Sequence, residues 1–164
     1  MLRWSGLAAA AGGALRIADS FLPGRLPENV LARIYLATDI LLLLGIAGIW
    51  WARRGNIGVA GMIGAAAFVG GILTIRAAPF GFGSYPLGAA LAAIGLAILA
   101  LDLLWRRNAI LAPLCWLAAL GFGVAGSLGF VPPTMLAAAG IAFGLGFVAA
   151  GVALLRDQSS LAVR

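Results

Sequence analysis

The sequence predicts an all-α polytopic membrane protein: a bundle of six transmembrane helices forming a single integral membrane domain over residues 1–164. Three observations predict it. First, 63% of residues are hydrophobic and only 10% charged, against about 45–50% and about 25% in soluble domains. A soluble chain of this size has too much surface for its volume to hide so many apolar side chains. Second, the apolar residues run in stretches of about 20, the length a helix needs to cross the hydrocarbon core. Third, short clusters of Pro, Gly and Arg separate those stretches, and the alternating pattern of a membrane β-barrel is absent.

In chain order, the predicted spans are about 4–22, 31–52, 56–77, 86–105, 109–130 and 134–155. "MLRW" followed by "LAAAAGGAL" has the basic start and apolar middle of a secretory signal. No soluble domain follows for a signal to deliver, so it is expected to be a retained first helix. "LPGRLPEN" divides the first span from the second, "ARRGN" the second from the third and "APFGFGSYP" the third from the fourth. "RRN" and "FVPPT" bound the fifth, with Pro and Gly as stops and Asn as a cap. Spans two, four and six end in "GIWWARRGN", "LALDLLWRRN" and "GVALLRDQ". That spacing of about 50 residues admits three tandem helical hairpins, although ordinary topology signals would produce the same ends.

The formal charge of +6 comes from eleven Arg against five acids, with no Lys or His. The Arg form small sets at intervals and not one stripe, which argues for topology signals and against nucleic-acid binding. Seven of them (Arg3, Arg53, Arg54, Arg106, Arg107, Arg156 and Arg164) fall on one side of the six-span arrangement. Arg25, Arg33 and Arg76 fall near the other, and Arg16 lies within the first span. The positive-inside rule then places both termini in the cytoplasm. Trp4, Trp50, Trp51 and Trp105 should mark the inner interface. Phe21, Tyr35, Phe80, Phe82, Tyr85 and Phe130 should mark the outer one.

Catalytic and cofactor chemistry is thinly provided. Without His, and with Cys115 as the one cysteine, neither Ser/His/Asp nor Cys/His nucleophile systems can be assembled. His- or Cys-rich metal sites and His-ligated haem are excluded for the same reason. "GFGVAG" at 121–126 matches a dinucleotide fingerprint, but it lies in an apolar span and no acid occurs from 103 to 156. Its glycines suit helix packing better: Gly121/Ala125/Gly129, Gly140/Gly144 and Gly58/Gly61/Gly64 each form a ridge of small residues. The chain is therefore expected to be no enzyme and to carry no cofactor. Asp102 and Arg106, one helical turn apart, read as a structural pair at the inner boundary.

The candidate site is the window "LRIADSFLPGRLPENVLARIYLATD", which holds six of the sixteen charged residues. Arg16 and Asp19 share a face of the first helix, as Tyr35 and Asp39 do on the second. Arg33 lies just inside the same boundary and Arg76 ends the third span at similar depth. Burying an ionisable group at mid-span costs roughly 2.5–3.5 kcal/mol on the insertion scale. Pairing Arg16 and Arg76 with Asp19 and Asp39 would reduce that cost. The functional alternative is a polar vestibule of Arg16, Asp19, Arg33, Tyr35, Asp39 and Arg76 that binds an anion, a lipid head group or a proton, with Asp39 as its deepest member.

The stretch "RIADSFLPGRLPENVLARIYLATDILLLLGIAGIW" resembles a hairpin common among small bacterial multi-pass membrane proteins of unassigned function. The resemblance covers residues 16–50 and implies an all-helical protein of the bacterial inner membrane, without bringing a catalytic residue. The expected role is that of an accessory or scaffolding protein. Its partners would be membrane lipids and other membrane proteins, or further copies of itself. A small transporter or lipid- or anion-binding protein using the polar cluster is the alternative.

Overall fold

The structure, a computed structural model, describes residues 2–22, 25–107, 109–130, 132 and 134–161. It is all-helical, with no strand among the described residues. The described residues form six α-helices in order: α1 (Leu2–Asp19), α2 (Glu28–Arg53), α3 (Val59–Ala77), α4 (Tyr85–Trp105), α5 (Leu111–Ser127) and α6 (Thr134–Leu161). A single 3-10 turn, Ala78–Phe80, extends α3. Among the described residues four segments are long and apolar enough to cross a membrane: Glu28–Arg53, Val59–Phe80, Tyr85–Trp105 and Met135–Arg156. The other two helices fall short of that description for different reasons. α1 carries Arg3, Arg16 and Asp19 within 18 residues, and α5 has 17 residues.

Local chemistry sets the ends. Gly81 leaves the 3-10 turn in the left-handed region at φ 78°, where glycine has no Cβ to clash. Ser84 in extended conformation and Pro86 in the first turn start α4, Pro being suited there because its missing N–H would have no helical partner anyway. The predicted fifth span, 109–130, is cut short by Gly129 at φ 74°. Phe130 N–H donates to the Ala125 carbonyl (3.0 Å) and Gly129 N–H to that of Gly126 (3.2 Å), the paired bonds of a Schellman end. Gly129 therefore closes the helix and is no part of a packing ridge. The expected cap at Asn108, the turn residues Pro23, Gly24 and Pro133, and the topology residue Arg164 lie outside the described residues.

Glycine decides which helices touch. A Cβ built on Gly64 would stand 2.6 Å from both the Gly95 carbonyl oxygen and the Leu99 nitrogen, and one on Gly88 would stand 2.7 Å from the Gly71 carbonyl oxygen. α3 and α4 thus meet backbone to backbone. α1 and α6 do the same: a Cβ on Gly144 would lie 2.5 Å from the Gly13 carbonyl oxygen, and one on Gly151 2.5 Å from that of Gly6. These pairings run antiparallel, so the start of α1 lies beside the last turns of α6. α2 rests on α1, with Gly45 against Ala9 and Gly48 against Ser5. The first and last helices are thereby joined as closely as any sequential hairpin, so the three hairpins are not independent units.

Around this frame the core fills with aliphatic and aromatic groups. Phe68 of α3 stacks near Phe143 and Phe147 of α6 (centroids 6.2 and 5.8 Å), and Trp116 of α5 lies 5.2 Å from Phe147. Large apolar side chains also cover the outside, among them Leu36, Ile40 and Leu44 on α2 and Leu87, Ile94 and Leu101 on α4. A soluble monomer seldom exposes apolar patches beyond a few hundred Å², and lipid is the solvent that suits this surface. The Trp residues expected at one interface are exposed there, Trp105 at 90%, and Arg54 lies 4.6 Å over the Trp51 ring.

Candidate functional site

The charged window folds into a compact group at one end of the bundle. Asp19 is the last residue of α1 and is 2% exposed; Thr38 of α2, 1% exposed, donates its hydroxyl to Asp19 Oδ2 at 3.2 Å. One residue on, Asp39 accepts from Arg76 Nε at 2.6 Å, and Arg76 Nη2 pairs with the same carboxylate oxygen. This ion pair bridges α2 to the last turn of α3, two helices that otherwise make little contact. Arg16, one turn before Asp19, lies 5.9 Å from the centroid of the Phe143 ring, within cation–π range, and its charge acts on both Asp19 and Asp39. Two guanidinium and two carboxylate groups therefore compensate each other.

Four of the six expected residues, Arg16, Asp19, Asp39 and Arg76, are thus brought together. Arg33 and Tyr35 are not. Asp39 lies level with the last turns of α1 and α3, where it meets Arg76. The eleven residues of α2 before it reach about 16 Å further at 1.5 Å per residue. Glu28, Asn29, Val30, Ala32 and Arg33 are accordingly exposed, and Tyr35 is half-buried without joining the group. Thr38 is the member that sequence reasoning missed. A lone Thr in an apolar run carries no signal of which neighbour its hydroxyl will meet.

One atom of the group is left over. Asp19 Oδ1 is buried and accepts no hydrogen bond, a situation that costs of order 1–3 kcal/mol for a buried polar group. Ser20, the next residue, turns its hydroxyl back to the Arg16 carbonyl (3.2 Å) and does not relieve it.

The opposite end of the bundle is organised differently. Asp102 is the expected partner of Arg106 (3.3 Å), and it also accepts the Gly58 N–H at 2.9 Å, capping α3 from the neighbouring helix. Arg53, Arg54, Arg106 and Arg107 end or directly follow α2 and α4 at this end, and Arg156 lies in the last turns of α6. A cavity of about 710 Å³ opens among α2, α4, α5 and α6 at this end, with Arg53 and Arg156 in its lining, and it does not reach Asp39. Trp116 forms part of its wall. A Cβ at Gly146 of α6 would collide with the indole, so glycine leaves it room, and its Nε1–H finds no acceptor among the described residues. Among the described residues no three His, Cys, Asp or Glu side chains converge as metal ligands.

No family model matches the chain, and no curated protein or solved structure matches it.

Proposed function

We propose that this chain is an accessory protein of a bacterial inner membrane, crossing it six times with both termini in the cytoplasm, and that it works by packing against other membrane proteins. The observation that carries this reading is the outer face of α5. Of the three expected glycine ridges, Gly58/Gly61/Gly64 is taken up by α4 and Gly140/Gly144 by α1. The third is unused: a Cβ at Gly121 or Gly123 would meet nothing within 4 Å. Ala118, Gly121 and Ala125 run along one helical face between exposed Leu114 and Leu128. In lipid, association gains little from hydrophobicity and depends on close backbone approach, which small residues permit. A face that only met lipid would have no use for them.

Supporting the span count, α5 at 17 residues is at the short limit for crossing and α1 needs its charged ends at the interfaces. The resemblance over residues 16–50 supports the bacterial inner membrane. The test is association in mild detergent. With Cys115 replaced by Ala, Ala118→Cys should cross-link to a neighbouring membrane protein or a second copy, and Gly121→Leu should abolish the adduct while leaving the fold intact. A functional monomer that never cross-links would refute the reading.

The alternative, a small transporter or lipid- or anion-binding protein using the charged cluster, draws on Asp19 Oδ1, whose vacant lone pairs could engage a proton or water. Uptake or proton-flux assays on Asp19→Asn in proteoliposomes address it. Unchanged flux would count against that alternative.

A further inference from the structure

The glycines that bring helices into close contact fall into two groups. In the first they join α1 to α6 (Gly6, Gly13), α2 to α1 (Gly45, Gly48) and α6 to α5 (Gly146). In the second they join α3 to α4 alone (Gly64, Gly71, Gly88, Gly95). None of these nearest contacts crosses from one group to the other. Backbone packed on backbone has no side chain to rearrange, so each group is stiff within itself. The helices thus form two bodies, α1–α2–α5–α6 and the α3–α4 hairpin. What joins the bodies is softer. At mid-height Phe68 of α3 meets Phe143 and Phe147 of α6 through ring contacts, with centroids 6.2 and 5.8 Å apart. Both chain connections between the bodies, α2 to α3 and α4 to α5, lie at the Arg-rich end. The cavity at that end has Leu103 of α4 on its wall together with Ile49, Trp116 and Val148 of the other body, so packing between the bodies is incomplete there. At the opposite end the Asp39–Arg76 ion pair ties α2 to α3.

We propose that the α3–α4 hairpin is a hinged flap: it swings about its two connections at the Arg-rich end and is latched at the other end by Asp39 and Arg76. With both connections at one end, rotation about them moves the opposite end furthest, and that is where the ion pair sits. The flap goes beyond the packing reading, since the α5 face takes no part in it, but it rests on the chain lying in lipid. In water, parting the bodies would expose core residues from both, such as Leu42, Phe68, Ile72 and Phe147, at a large hydrophobic cost. In lipid, acyl chains replace the lost neighbours and that cost is small. The ion pair is then the main interaction lost on opening. Each of its members has somewhere to go. Arg16 stays on the same body as Asp39 and its charge already acts there. Arg76, in the last turn of α3 with 33% of its side chain exposed, can extend its guanidinium to the interface.

The experiment is a spin-label distance measurement on the full chain, carrying Cys115→Ala, in lipid nanodiscs. Labels at Leu36→Cys and Leu73→Cys, both exposed positions, span the mouth of the flap. Leu73→Cys with Leu87→Cys stays within the hairpin, and Leu36→Cys with Leu136→Cys stays within the other body. With the latch intact, the mouth pair should show a minor long-distance population of up to about 10% that neither control pair shows. Arg76→Gln and Asp39→Asn should each raise that population about fivefold or more and leave both control pairs unchanged. A mouth distance that stays as narrow as the controls in both latch variants would overturn the proposal. Broadening of all three pairs together would overturn it too, since that marks general loosening. If neither variant folds, the wild-type chain decides: a long population confined to the mouth pair supports the flap, and its absence sinks it. Alkaline carbonate washing of membranes separates the two levels of failure. A chain that washes off defeats the membrane reading and the flap with it, whereas one that stays but keeps a fixed mouth distance defeats only the flap.

Discussion

The two ends of the bundle carry similar numbers of charges and use them in opposite ways. At one end Arg16, Asp19, Asp39 and Arg76 lie between helices and compensate each other; Asp39 and Arg76 keep only 17% and 33% of their side-chain surface. At the other, Asp102 is occupied by the Gly58 N–H and by Arg106, and Arg53, Arg54, Arg106, Arg107 and Arg156 lie in or next to the helix ends, where Arg106 keeps 44% of its side-chain surface. The difference follows from desolvation. A charge removed from water must find an opposite charge or a hydrogen bond nearby, so the first group had to be balanced. Charges at exposed helix ends bear less of that cost, because water still solvates them.

The contrast can be broken in measurable ways. The largest effect is expected from Asp39→Ala or Arg76→Ala, each of which strands a charge between α2 and α3. Unfolding in detergent micelles, followed by tryptophan fluorescence, should show a loss of roughly 2–3 kcal/mol, below the roughly 3–5 of a fully buried pair because Arg76 keeps some solvent. Replacing both by Leu should restore most of that loss; failure to recover would mean that the pair does more than neutralise itself. Next, Thr38→Val removes the hydroxyl that donates to Asp19 Oδ2 and should cost about 1–2 kcal/mol in the same assay.

At the other end, Asp102→Ala should cost about 1 kcal/mol by uncapping α3, with Asp102→Asn recovering part of it through its remaining carbonyl oxygen. Arg107→Gln, at an exposed position, should change stability by less than about 0.5 kcal/mol, as surface substitutions do. A larger loss would show that this end, too, is held by internal pairing. Smallest of all, Arg33→Gln on the projecting turns of α2 should be neutral within about 0.5 kcal/mol.

Much of this was legible in the chain. Each expected span corresponds to an observed helix, because hydrophobic run length is a one-dimensional property and Pro, Gly and Arg mark its limits. Arg16 with Asp19 and Asp102 with Arg106 were readable because three- and four-residue spacing fixes a shared helical face. Other features were not. Thr38 is silent until α1 lies beside it, and Arg33 and Tyr35 looked like site residues only on the assumption that α2 ends where its neighbours do. Gly129 fits a small-residue ridge by spacing alone, yet its positive φ makes it the stop of α5. The cavity at the Arg-rich end has no sequence signature, since its lining is drawn from four helices that are distant in the chain.

By itself, then, the sequence determined that the chain is helical, how many helices it forms, where they end within a few residues, and which end gathers the arginines. All of these follow from local composition and helical periodicity. Tertiary structure alone decided which glycines carry a contact and which stay open, that Asp39 meets Arg76 and not Arg16, and that α1 closes against α6. Those outcomes depend on how far each helix is shifted along its neighbours. Local propensity does not encode that shift, because it is set by backbone close approach between helices and by the need of buried charges to find each other.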